Sequence, residues 1–144
     1  MITEDLLKEK AQNYIICYSE QCEKREHCLR NILKQYVNEK TRIVQSVNLG
    51  NHDVIAGMCP MFKSDEKVRF PVGLTRLYDD IPMEKAQQIK RSLIEQLGRS
   101  NYYRYRNGEL RLKKKITDII ESTMLRYGWN EPLRYDGYAD DYLW

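Results

Sequence analysis

Four cysteines constrain this chain more than any other feature, because three of them cluster as C-x4-C-x5-C at Cys17, Cys22 and Cys28, and the fourth, Cys59, returns in the segment GMCPMF. A polar segment that carries Glu20, Glu23, Lys24, Arg25 and Glu26 around its thiols does not bury them by apolar packing alone. Something must hold them. In a reducing compartment such a cluster reads as a metal site before it reads as two disulfides or as unpaired core thiols, which are the two simpler alternatives.

The compartment follows from the rest of the sequence. The first ten residues, MITEDLLKEK, mix acids and lysines and lack the apolar core and small-residue cleavage site of a secretory signal. No uncharged run approaches the ~20 residues of a membrane span. A cytoplasmic protein without membrane association is expected. At 144 residues, with 42% hydrophobic and 31% charged side chains, the chain has the size and composition of one compact domain. Its expected halves are a Cys-rich, metal-clamped half over 1–75 and a helix-hairpin-helix half over 76–144 with an aromatic tail.

The spacing bears on which metal is held. Structural zinc favours C-x2-C knuckles, and neither x4 nor x5 is one. Iron–sulfur clusters accept wider gaps, and Pro60 follows Cys59 as proline follows the last ligand in some ferredoxin runs. Zinc held by Cys17, Cys22, Cys28 and Cys59 is favoured as the commoner purely structural solution, with an iron–sulfur cluster as the alternative. His27 and His52 are weaker ligand candidates.

Periodicity supplies the elements, and the expected class is α+β, with three or four helices and a small antiparallel sheet or hairpins. Leu29, Ile32, Leu33, Tyr36 and Val37 share one helical face, so Cys28 opens a helix over 28–37, where free amides favour the ligating form of a thiol. TRIVQSV at 41–47 reads as a strand before the turn NLGN, and VRFPVG at 68–73 as an edge strand marked by Pro71. Met61 and Phe62 are placed as an apolar floor beside the thiols. A helix follows Pro82 through Ala86, Ile89, Leu93 and Leu97 to Gly98. Asn107 and Gly108 between two extended runs predict a hairpin. A last helix carries Ile116, Ile119, Ile120, Thr123 and Tyr127 before Gly128.

The net charge of +3 hides an uneven distribution. Arg99, Arg104, Arg106, Arg111 and Lys113 to Lys115 stand against Glu109 alone over residues 99–115, whereas 129–144 is acidic. Seven of eleven tyrosines lie between Tyr102 and Tyr142, and both tryptophans, Trp129 and Trp144, lie nearby. A partner surface for protein or nucleic acid is therefore expected over 99–115, formed by Tyr103, Arg104, Tyr105, Arg106, Arg111 and Lys113, with arginines on phosphates and tyrosines stacked on bases. The simpler reading packs the tyrosines on the core and lets the acidic tail fold back on the basic stretch, anchored by Tyr135, Tyr138, Tyr142 and Trp144. No G-x-S-x-G, phosphate-binding glycine loop, H-E-x-x-H or dinucleotide fingerprint occurs, so the reading leans away from an enzyme.

The motifs C-x4-C-x5-C-L-R, G-x-C-P-x-F, Y-Y-R-Y-R-N-G-E and a D-x-Y tail ending in Trp resemble an uncharacterised bacterial family, domain-of-unknown-function family 6078, along nearly the whole chain. The resemblance implies a shared pattern at Cys17, Cys22, Cys28, Cys59, Pro60, Phe62, Tyr103, Arg104, Arg106, Gly108, Asp136, Tyr138 and Trp144. It implies no activity. Glu23, where the family often has proline, and the run Lys113 to Lys115 depart from that pattern and leave the thiol set intact.

Overall fold

Thr3 sets the first element, because its hydroxyl accepts the Leu6 amide at 3.3 Å and Glu4 and Asp5 follow where the helix N-terminus favours negative charge. The resulting helix α1, Glu4–Asn13, buries Ala11. The computed structural model describes residues 3–55 and 58–144; Gly57, the first residue of G-x-C-P-x-F, lies outside them. Two compact units emerge, Met1–Val68 with Asp140–Trp144, and Arg69–Ala139.

In the first unit the run 28–37 forms two short pieces, α2 at Leu29–Ile32 and a tighter 3-10 turn at Leu33–Tyr36, with Leu29 and Leu33 buried. Cys28 is the residue that precedes α2, as the sequence indicated. The segment 41–47 is not a strand. It makes a single parallel bridge, Ile16 with Ser46, through Ile16 N to Gln45 O and Val47 N to Ile16 O, each 2.9 Å. A one-residue parallel partner cannot extend a ladder, so β-branched content alone did not make one. A short helix α3, His52–Ile55, follows. The core of this unit is small: Ala11, Ile16 and Leu33, flanked by Leu7, Tyr14, Tyr36, Val37 and Trp144.

Strand β1, Lys67–Val72, carries Pro71 as expected of an edge, and it pairs antiparallel with β2, Gly137–Tyr142, in a two-stranded sheet. The division between the units falls within both strands. Helix α4, Met83–Leu97, starts after Pro82 and stops at Gly98, whose φ of 81° suits a residue without a Cβ. Helix α6, Lys114–Arg126, follows the expected pattern, with Ile120, Thr123 and Met124 buried.

The predicted hairpin is a helix. Residues Arg99–Arg106 form α5, opened by the Tyr102 amide on the Gly98 carbonyl at 2.9 Å. Asn107 and Gly108, read as a hairpin turn, end that helix instead: Gly108 has φ 77°, and the Glu109 and Leu110 amides fold back on the Arg104 carbonyl. The same dipeptide satisfies a hairpin turn and a left-handed helix cap, and burial decided between them. Tyr102 is 1% exposed, its hydroxyl 3.0 Å from that of Tyr78, within a core that includes Leu74, Leu77, Ile89, Leu93, Leu112, Ile120 and Met124.

The tail is docked rather than loose: it forms β2, and Trp144 joins the first unit through edge contacts with Tyr14 and Tyr142 and a hydrogen bond to Asp141. The class is α+β, with six α-helices among the described residues where three or four were expected. The additional ones are α1, the short α3, and α5 in place of the hairpin. No helix among the described residues is long and apolar enough to cross a membrane.

Candidate thiol cleft

The four cysteines converge on one place. Cys17, Cys22, Cys28 and Cys59 all line a single cleft of about 910 Å³ in the first unit, together with Tyr18, Glu20, Lys24, Arg25, Val47, Met61 and Phe62. Cys28 is buried and the other three thiols are half-buried; all four are free. Met61 and Phe62 form part of the wall as anticipated, and Lys24 lies 5.5 Å from the centre of the Phe62 ring.

Four local pieces of chain bring the thiols there. Cys17 follows Ile16, which is fully buried, and its amide donates to the Arg30 carbonyl at 2.8 Å. Cys22 opens a turn closed by Arg25 N on the Cys22 carbonyl at 3.2 Å, and the Arg25 guanidinium also donates to the Glu20 carbonyl. Cys28 makes an antiparallel bridge with Ser64, extended by Leu29 N to Lys63 O at 2.8 Å and Asp65 N to His27 O at 3.2 Å. Cys59 begins a turn closed by the Phe62 amide at 3.1 Å.

Two side chains absent from the sequence expectation hold these segments together. Arg30 and Asn31, on what the helical pattern made the polar face, are 8% and 6% exposed. The Arg30 Nε donates to the Met61 carbonyl at 2.7 Å and a terminal nitrogen to the Ile15 carbonyl at 3.1 Å. The Asn31 amide donates to the carbonyls of Cys17 at 3.1 Å and Ser19 at 2.8 Å. The Arg30 guanidinium lies 4.9 Å from the centre of the Tyr14 ring. Burial raises the Tyr14 hydroxyl above its ordinary pKa, against the lowering effect of the Arg30 charge. That hydroxyl is buried without a hydrogen-bond partner among the described residues. The only clue in the sequence was the motif C-L-R itself.

The donor chemistry suits a thiophilic metal, but the geometry is open: among the described residues no three His, Cys, Asp or Glu groups lie closely enough to hold one ion. Neither histidine lines the cleft. His27 instead faces Asp65 at 3.4 Å on an exposed edge.

Of the residues expected to form a partner surface, Tyr103, Arg104, Tyr105 and Arg106 lie in α5, and Arg111 and Lys113 in the segment before α6. Tyr103 and Tyr105 pack against the core of the second unit. Lys90 and Arg99 lie 5.7 and 5.9 Å from the Tyr103 ring centre, and Arg104 reaches Glu109 at 3.6 Å. Arg106 and Arg111 are half-buried, as is Lys113 before α6. Tyr103 and Tyr105 are themselves half-buried, so each ring contributes part of its surface to the packing of its unit. In the same unit, burial pushes the Tyr135 hydroxyl up to about 12.

No curated protein and no solved structure matches the chain. The motifs quoted from the sequence do extend over its full length, and the chain belongs to the Family of unknown function (DUF6078), whose pattern matches residues 1–144.

Proposed function

We propose that this protein binds a thiophilic metal ion, zinc, in the thiol cleft, and that the metal clamps the first unit into a binding module. One observation carries this reading: every cysteine of the chain, drawn from four separately held pieces of backbone, lines the same cleft. Free thiols that served only as small core residues would have no reason to share one concave wall. The small apolar core of this unit gives the clamp a physical purpose, since metal binding contributes folding free energy where packing is meagre. Because no three donors among the described residues lie within reach of one ion, binding draws the turns of Cys22 and Cys59 inward.

An iron–sulfur cluster is the second reading, favoured by that same spread, because a cluster holds its thiolates further apart than a single ion does. Elemental analysis of anaerobically purified protein separates the two. Colourless protein with one zinc per chain is the expected result; brown protein with stoichiometric iron replaces zinc by the cluster. Cys22→Ser is expected to lower metal content and destabilise the first unit, and unchanged values of both would sink the proposal.

A further inference from the structure

The thiols of the cleft sit on segments that two adjacent side chains fasten together. Arg30 joins the Ile15 carbonyl, two residues before Cys17, to the Met61 carbonyl, two residues after Cys59. Asn31 uses its amide on the carbonyls of Cys17 and Ser19. Both follow Cys28 on the same turn of chain, so three of the four thiol positions are indexed to one dipeptide. The turn of Cys22 is held separately, by Arg25.

Charge points the same way. Arg30 is nine-tenths buried, lines the cleft, and forms no ion pair among the described residues; its neighbours are two carbonyls and the Tyr14 ring. A buried cation without a carboxylate is costly, and a guanidinium has five N–H donors, more than those two carbonyls use. A zinc ion held by four thiolates would carry a net charge of about −2 and would supply such a counter-charge.

We propose that Arg30 and Asn31 are positioning residues for the metal centre, Arg30 setting the span between the Cys17 and Cys59 segments and offsetting the charge of the thiolate–metal complex, Asn31 fixing the Cys17 segment alone. This rests on the metal-binding reading, but its two halves are tested separately. Lysine keeps the charge of Arg30 and loses the planar fork that bridges two carbonyls.

The test uses the full chain with Arg30→Lys, Asn31→Ala and, as a destabilising control elsewhere, Leu93→Ala. Cobalt(II) titration reads the sulfur-to-cobalt charge-transfer band and the affinity. Arg30→Lys is expected to weaken cobalt binding about 10- to 100-fold and to alter the band, the effect typical of losing an outer-shell partner, whereas Leu93→Ala leaves both unchanged. Alkylation rates of each cysteine in the metal-free protein, located by peptide mass, supply a readout independent of metal. Arg30→Lys is expected to speed labelling of Cys17 and Cys59 relative to Cys22, and Asn31→Ala to speed Cys17 alone. Failure of the wild-type protein to bind zinc or cobalt would remove the metal reading and the counter-charge role while leaving the positioning role to the alkylation pattern. A uniform rise at all four thiols, or no change at any, overturns the positioning role.

Discussion

The two units are built on different physics. The second closes around an apolar core to which α4, α5 and α6 and the segment after β1 all contribute, from Leu74 and Leu77 through Ile89, Leu93 and Tyr102 to Ile120 and Met124. The first has three residues at the centre of its core cluster and, in addition to other buried apolar residues such as Leu29 and Val47, buries two polar side chains, Arg30 and Asn31, that pin loops to one another through carbonyls. Apolar burial stabilises in proportion to area and tolerates small shifts, whereas a buried polar lattice is worth little unless every member is satisfied. On the proposed reading, the contrast gives the cysteines a purpose in the first unit, where a metal would add most to a small apolar core.

Substitutions can break or sharpen that contrast. The largest expected effect comes from matched core truncations. Leu93→Ala in the second unit and Leu33→Ala in the first both remove fully buried side chains, and each is expected to lose about 2 to 5 kcal/mol in denaturant unfolding. The second unit is expected to survive its loss, while metal-free protein with Leu33→Ala loses hydrogen-exchange protection across 15–37. Equal survival would erase the difference between the units.

Gly73 comes next. Its φ of 77° is strained for any residue with a Cβ, and a Cβ there would run into the Asp136 carboxylate. Gly73→Ala is expected to cost about 2 kcal/mol, confined to the second unit and unaffected by metal. A metal-dependent effect would argue against the independence of the two stabilising schemes.

Asp136 has the smaller effect of the pair. Its carboxylate accepts the Thr75 amide at 3.1 Å, the Thr75 hydroxyl at 2.8 Å and the Arg76 amide at 3.2 Å. Burial alone would raise its pKa, but the hydrogen bonds from Thr75 and Arg76 outweigh burial and hold it below 3.8. A depressed folded value means that the stabilisation is complete above 3.8 and is lost as pH falls through the lower folded value. Asp136→Asn is therefore expected to cost about 1 kcal/mol at pH 6 and less near pH 3, measured by urea unfolding at both. A cost independent of pH would assign the anchor to geometry instead of charge.

At the lower end, Asp118→Ala breaks the exposed pair with Lys114 at 3.0 Å within α6 and is expected to change stability by about 0.3 kcal/mol, a difference that 0.5 M salt removes. A larger loss would mean that surface charge supports this unit more than its core suggests.

What was legible in the sequence follows the same division. Helices α4 and α6 were readable because their apolar residues recur at helical spacing and Gly98 and Gly128 end them with positive φ. β1 was readable from its β-branched residues and Pro71. Helix α5 was not, since RSNYYRYR has no apolar stripe and only burial of Tyr102 makes the helix the better state. α1 was overlooked because its apolar positions, Leu6, Leu7 and Ala11, are few, although Thr3 with Glu4 and Asp5 carried the cap signal.

At the candidate site the thiol set was legible from spacing, and so was the floor of Met61 and Phe62. Arg30 and Asn31 were not, because a helical pattern assigns polar side chains to solvent unless something else shows that they are buried. Carbonyl partners 12 to 31 residues away in sequence leave no local trace. The basic segment shows the same limit: its charge is plain in the sequence, but that Tyr103 and Tyr105 pack partly against the core of their own unit is not.

The central claim is that a metal supplies to the first unit what apolar packing supplies to the second. Hydrogen exchange of the full chain, purified anaerobically and followed before and after zinc removal by a chelator, tests it directly. Protection over 15–31 and 59–65 is expected to fall steeply on zinc removal while α4 and α6 exchange as before. An exchange pattern unchanged by the chelator in both units would contradict it.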